Sequence, residues 1–290
     1  FAHEPGKTLR LIFIFILIFA WVSACGPTKN NRKRYTKPDY SKAYKKKSRQ
    51  KLLKAKKKEA SKLSSRPHAL MSNSFLPTIL NEKDQTLMIH IKQGEYLMGV
   101  KKITSQGTDK SEKFDGQRVA LNAFYIDRTE VTVLNFKKFQ PRYNEKPFTD
   151  GKSCPQCPAM GINWNKAHNY CKWAGKRLPS EAEWEAAARG NSALIWPWGN
   201  KYQLQRANLF GREDGHLGVA PVGSFSKGSS PYGAMDMAGN VWEWVQTDYK
   251  GLRVVKGGGW TSYKSQSKIS FRNKVDPKLE NPTFGFRCAR

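Results

Sequence analysis

Five cysteines are the side chains here best suited to redox or soft-metal chemistry, and their spacing divides them. Cys25 stands alone near the start, Cys154 and Cys157 form a CxxC, and Cys171 and Cys288 are far from any other thiol. A redox-active CxxC ordinarily opens a helix, where the N-terminal dipole supports a thiolate. This one lies in a Pro- and Gly-bearing stretch, Thr149 to Pro158, which predicts a small structural disulfide, with a redox pair as the alternative. It is also only half of a four-ligand zinc framework, and no second CxxC occurs. Over the last 205 or so residues histidine is sparse, at His90, His168 and His216. No phosphate-binding loop of Walker type and no internal repeat is present.

The elements that must position these groups are clearest between residues 164 and 190. Ala167, Tyr170, Cys171 and Ala174 recur at helical spacing and form one apolar face, and Gly175 is placed to end that helix. A second helix follows at once. Ser180 is a good N-cap, and Glu183 three residues on completes a capping box. Trp184, Ala187 and Ala188 supply its buried face, with Gly190 suited to the C-terminal exit.

The segment from Tyr170 to Gly190, with its core Gly175-Lys176-Arg177-Leu178-Pro179-Ser180-Glu181-Ala182-Glu183-Trp184, resembles a signature of the formylglycine-generating-enzyme/sulfatase-modifying-factor family. That family's fold is related to C-type lectins. Further blocks follow in family order. Tyr96-Leu97-Met98-Gly99 resembles the family's opening strand, and Phe124 to Thr132 its next strand and the approach to a helix. Then come Trp196-Pro197-Trp198-Gly199-Asn200, Ala220 to Phe225, Tyr232 to Trp244, Val254 to Trp260 and Gly285 to Ala289. The resemblance covers residues 86–290 and implies an α+β, loop-rich fold with few short helices and strands.

The resemblance also says what to look for chemically. Catalytic members carry two cysteines shortly after the Gly-Gly-Ser-Trp-like motif, whose thiols bind copper and activate oxygen to convert a substrate cysteine to formylglycine. Soft thiolates suit Cu(I). Here Gly259 replaces the motif's serine, Ser262 falls at the first cysteine position, and no cysteine occurs between Cys171 and Cys288. Copper chemistry is therefore not expected. Iron-binding sulfoxide synthases of the family draw three histidines largely from an extra helical domain, for which this chain has no room. The resemblance further implies a Cys171–Cys288 disulfide. It places one calcium site at Asn240 and Glu243 with the Gly239 and Val241 carbonyls. A second would use Asn208, Asp214 and the Leu209 and His216 carbonyls. The alternative is that these polar groups only cap turns.

The first part of the chain is a different polymer. Lys7 and Arg10 precede an apolar run from Leu11 to Val22, too short for a typical span of about 20 residues. Val22-Ser23-Ala24-Cys25 resembles a lipoprotein cleavage box, so residues 1–24 read as a signal peptide and Cys25 as the lipidated residue. Between Gly26 and His68 stand 17 Lys and Arg against Asp39 and Glu59, a net of +15 within the chain's +28. So little apolar content predicts a basic, largely disordered tether over residues 25–85. Its expected counter-charges are an anionic membrane surface or an acidic envelope partner rather than nucleic acid. The expectation is an outer-membrane or cell-envelope lipoprotein with a non-catalytic interaction domain. Its layout resembles gliding-motility and type IX secretion lipoproteins. The alternatives are a metal-dependent oxidoreductase or maturation enzyme and a glycan-binding module.

Overall fold

The computed structural model describes residues 77–106, 109–211 and 213–290. Cys25, the signal segment and the basic stretch up to residue 76 lie outside the described residues. The described chain is α+β, with three small sheets and three short helices. Strands β1 (Thr78–Leu80), β2 (Leu87–Ile91) and β5 (Phe124–Asp127) form an antiparallel sheet in the order β1-β2-β5. A two-stranded hairpin joins β3 (Gly94–Gln106) to β4 (Asp109–Leu121). The third sheet has the order β8-β7-β6-β9, from β6 (Trp242–Tyr249), β7 (Leu252–Lys256), β8 (Asn273–Val275) and β9 (Phe284–Phe286).

Helix α1 (Val133–Phe139) is capped by Thr132, whose side chain accepts from the Asn135 amide. Helix α2 (Trp164–Trp173) buries Ala167, Tyr170 and Cys171 as the spacing predicts. Helix α3 (Glu181–Arg189) carries both halves of the predicted capping box: Glu183 N donates to Ser180 Oγ, and Ser180 N donates to Glu183 Oε2. Gly175 and Gly190 both take positive φ, at 71° and 63°, as exits from these helices. Among the described residues no helix is long and apolar enough to cross a membrane.

Two strands precede the block that resembles an opening strand, and the fold begins before residue 86. β1 pairs with β2 through Ile79↔Met88, and β2 pairs with β5 through Ile89↔Ile126 and Ile91↔Phe124. Residues 77–85 therefore belong to the folded part, not to the tether. The reason they escape a hydropathy reading is that their anchors are polar. Asn81 and Asp84 are buried; Asn81 Nδ2 donates to Ala174 O, and Asp84 accepts from Lys176 Nζ at 2.6 Å and from the Tyr170 hydroxyl. Lys176 Nζ also donates to Asp127 at 2.9 Å, so one fully buried ammonium joins the N-terminal sheet to the α2–α3 connection.

β6 is one of the two inner strands of the third sheet, and Trp242, Glu243, Trp244 and Val245 are all buried along it. Its parallel partner β9 comes from 42 residues downstream, pairing Trp242↔Phe284 and Trp244↔Phe286. Trp244, Phe286, Tyr170 and Phe136 share one hydrophobic cluster. The Trp244 indole donates to Ile162 O at 2.6 Å, so its polar edge is satisfied within the core.

Candidate functional site

The segment that would carry oxidative chemistry leaves β7 through Gly257 and Gly258, at φ 87° and 77°. A Cβ on Gly258 would fall 3.3 Å from both Ser262 Cβ and Ser267 Cα, so two serines flank one glycine. Both are buried. Ser262 Oγ accepts from Gly259 N at 3.0 Å, while Ser262 N donates to Gly259 O at 2.8 Å, which closes a tight turn. Ser267 Oγ donates to Lys264 O and accepts from the Trp196 indole at 3.3 Å. Among the described residues no imidazole or carboxylate bonds to either hydroxyl, so neither serine has the adjacent base that nucleophilic catalysis needs. Ser267 was not singled out from sequence because nothing local marks its depth; only the glycine approach reveals it.

All four other cysteines are oxidised. Cys171 and Cys288 are bonded across 117 residues and fully buried, tying α2 to the segment after β9. Cys154 bonds Cys157. That loop does adjoin a helix N-terminus, but it presents carbonyls there. Val133 N and Leu134 N, in the first turn of α1, donate to Cys157 O and Pro155 O. Val222 N donates to Gln156 O. The loop thus satisfies orphan helix amides and pins a neighbouring segment, as a structural disulfide would.

The proposed calcium ligands behave differently from one another. Asn240, at φ 63°, accepts on Oδ1 from Asn208 Nδ2 and Ala220 N, and donates from Nδ2 to Glu130 Oε1 and Ala220 O. Glu243 accepts from the Trp184 indole at 2.7 Å and takes Arg287 in a fork at 2.7 Å on each oxygen. Asn240 and Glu243 are spent inside the protein and do not fit as side-chain ligands of a cation. Asp214 accepts from Leu209 N and His216 N, both at 2.9 Å, which closes the 209–216 loop. Asn208 donates to Gly218 O as well as to Asn240, so the structure brings the two predicted sets into contact.

Two carboxyls that the sequence reading passed over lie beside them. Glu130 is 1% exposed; its Oε1 accepts from Asn240, and its Oε2 has no hydrogen-bond partner. Asp236 is 5% exposed and accepts from Gly223 N. Burial, and then the neighbouring Asp236 carboxylate, push Glu130 well above the usual range. Burial likewise raises Asp236, against the opposing Gly223 amide and Arg287. The Arg287 guanidinium is already taken by Glu243 and by the carbonyls of Asp127, Arg128 and Met235. The two side chains also lie within hydrogen-bonding reach of each other, so a shared proton or a hard cation would relieve their repulsion; among the described residues no group of three or more His, Cys, Asp or Glu stands together as a metal site. Sequence spacing could not show this, because Glu130 lies more than a hundred residues before Asp236.

Residues 77–290 match the sulfatase-modifying factor enzyme 1-like domain. The chain belongs to this family. It is 38% identical to the inactive Cα-formylglycine-generating enzyme 2 of Mus musculus, over 72% of this chain and 87% of that one. The Bos taurus counterpart is 40% identical, and the chain spans half its length. The formylglycine-generating enzyme of Mus musculus is 37% identical, over 70% of this chain and 75% of that one. Among solved structures, PvdO from Pseudomonas aeruginosa superposes with a TM-score of 0.61 at 25% identity, covering 74% of this chain and 98% of that one. Relatives named as enzyme and as inactive thus both match at 30–40% identity. Within this family the residues at the glycine turn, not the identity, must discriminate.

Proposed function

We propose that this sulfatase-modifying factor family member is a non-catalytic interaction module of the cell envelope, held there by a lipid on Cys25 and a basic tether. The observation that carries the reading is the glycine turn. Ser262 stands where the resemblance implies the first copper-binding thiol, Ser267 packs beside it across Gly258, and both hydroxyls are committed to the turn itself. An alcohol cannot replace a thiolate as a Cu(I) ligand. The disulfides suit an oxidising compartment. A place in a gliding-motility or type IX secretion machine follows from layout alone. In this reading calcium is structural and sits between Glu130 and Asp236.

The decisive assay incubates the purified chain with copper, oxygen and a sulfatase-type cysteine peptide. No formylglycine above blank is expected, and conversion would end the non-catalytic reading. Intact-mass analysis of the mature protein should find acylated Cys25; an unlipidated start elsewhere would remove the anchor.

A further inference from the structure

The side chains of Lys176, Asp84 and Asp127 are buried together in a cluster closed to solvent. Lys176 Nζ lies 2.6 Å from Asp84 Oδ2, and 2.9 and 3.1 Å from the two oxygens of Asp127. One amine nitrogen therefore stands between two carboxyls. Free in water, an ammonium and a carboxylate do not condense at a useful rate. Fixed in contact they reach effective concentrations of about 10⁵–10⁸ M, and exclusion of water favours the amide over its hydrolysis.

The surrounding groups are placed as such a condensation needs. Asp84 Oδ1 accepts from Thr86 N at 3.2 Å and from Thr86 Oγ1 at 2.9 Å, two donors aimed at one carboxyl oxygen. Asp84 Oδ2 accepts from the Tyr170 hydroxyl at 2.9 Å as well as from Lys176. Lys138 Nζ holds the Asp84 backbone carbonyl at 2.7 Å, and Cys288 N holds Asp127 Oδ2 at 2.9 Å. Burial pushes Asp84 up, but Lys176, Thr86 and Tyr170 outweigh it and leave it low; burial raises Asp127 against the same ammonium. The resting state is thus a Lys176–Asp84 ion pair beside a carboxyl suited to take up a proton.

We propose that Lys176 and Asp84 condense to an intramolecular isopeptide bond, with Asp127 as the proton carrier. Nζ passes one proton to Asp84 Oδ2 along the 2.6 Å contact, and its lone pair attacks Cγ. The charge that develops on Oδ1 is met by the Thr86 amide and hydroxyl. Asp127 takes a second proton from Nζ and returns it to Oδ2, which leaves as water. The Nζ–Cγ bond forms, the Cγ–Oδ2 bond breaks, and Asp127 ends as it began, so no oxidant or co-reactant is required. The amide ties the β1–β2 connection to the α2–α3 connection. Load applied on the N-terminal side of residue 77 then reaches the core through a covalent bond instead of the three-residue pairing of β1.

The test is mass spectrometry of the folded full chain, reduced, denatured and then cleaved after lysine and arginine. Wild type should yield a branched peptide that joins the segment holding Asp84 to the segment holding Lys176. It should weigh one water less than the two together, and cleavage after Lys176 should be blocked. Two linear peptides from folded wild type, with Lys176 cleaved, overturn the proposal. A branch that ends at Asp127 overturns the assignment of Asp84 as the acyl donor. Asp127→Asn keeps the side chain's size but removes the proton carrier, and its digest should hold the two linear peptides. An equal yield of branched peptide from this variant overturns the mechanism. The wild-type digest decides the bond by itself, so a variant that fails to fold does not shield the proposal.

Discussion

Glu130 shows how one side chain can be structurally legible and chemically invisible in a sequence. Its place before Val131-Thr132 marks it as the end of a strand block, but its unpartnered Oε2 and its meeting with Asp236 depend on tertiary contact. Calcium binding here should raise the melting temperature of wild type, by mass action on the folded state. Glu130→Gln should lose that shift, as should Asp236→Asn, whereas Asp214→Asn should keep it. Terbium luminescence sensitised by nearby tryptophan gives an independent readout of occupancy; equal signals from wild type and both variants would place the cation elsewhere. Lys256 gives a contrasting case at the same scale. It is fully buried between Glu181 at 3.0 Å and Glu185 at 2.8 Å. Lys256→Met leaves Glu181 with Arg272 alone and Glu185 with Arg189 alone, and should cost about 3 kcal/mol in chemical denaturation.

Among the elements, α2 and α3 were fully readable because every signal for them is local: period, cap and exit glycine fall within a turn or two of one another. Glu183 in the α3 capping box also pairs with Arg177 at 2.6 Å. Burial pushes its carboxyl up, but Arg177 and the Ser180 amide outweigh this and leave it below the usual range. A carboxyl lowered in the folded state stabilises at pH above its unfolded value, near 4.3, and that contribution disappears as pH falls through the folded value. Glu183→Gln should therefore cost about 1 kcal/mol at neutral pH and progressively less below pH about 4, with the two stability curves converging in acid. Parallel curves down to low pH would mean that the loss is packing, not charge. The two disulfides separate by loop length. Losing Cys171–Cys288 should cost about 5 kcal/mol in the chain-entropy account and losing Cys154–Cys157 about 2. Paired Cys→Ala variants unfolded in urea should preserve that order. The β6–β9 pairing, by contrast, was beyond reach: nothing in Phe284-Gly285-Phe286 names a parallel partner 42 residues upstream.

For the whole molecule, the boundary of the folded part was misplaced for one physical reason. The first strand is only three residues long, and what secures it is a buried ammonium with two carboxylates. Hydropathy treats such residues as linker. Chains beginning at residue 77 and at residue 86 should therefore differ sharply. The longer should melt as the full chain does. The shorter loses β1, Asn81 and Asp84, leaves Lys176 with Asp127 alone, and should lose about 3 kcal/mol or more, or fail to fold. Deleting residues 28–66 should leave the melting temperature unchanged while weakening salt-sensitive association with anionic vesicles, since contacts of that kind contribute roughly 1 kcal/mol per cation. An unfolded deletion variant would show that the basic stretch belongs to the core.

The chain closes on itself late. Ala289 bridges both Ile126 and Arg177, Arg290 and Tyr125 exchange backbone hydrogen bonds, and Cys288 must find Cys171. Synthesis is vectorial, so every earlier strand has to wait. Until the segment through residue 289 has been made, Trp244 has no neighbour at Phe286 and Glu243 no guanidinium at Arg287. The nascent domain therefore stands as an open chain with its interior unsealed until β9 and the residues after it arrive.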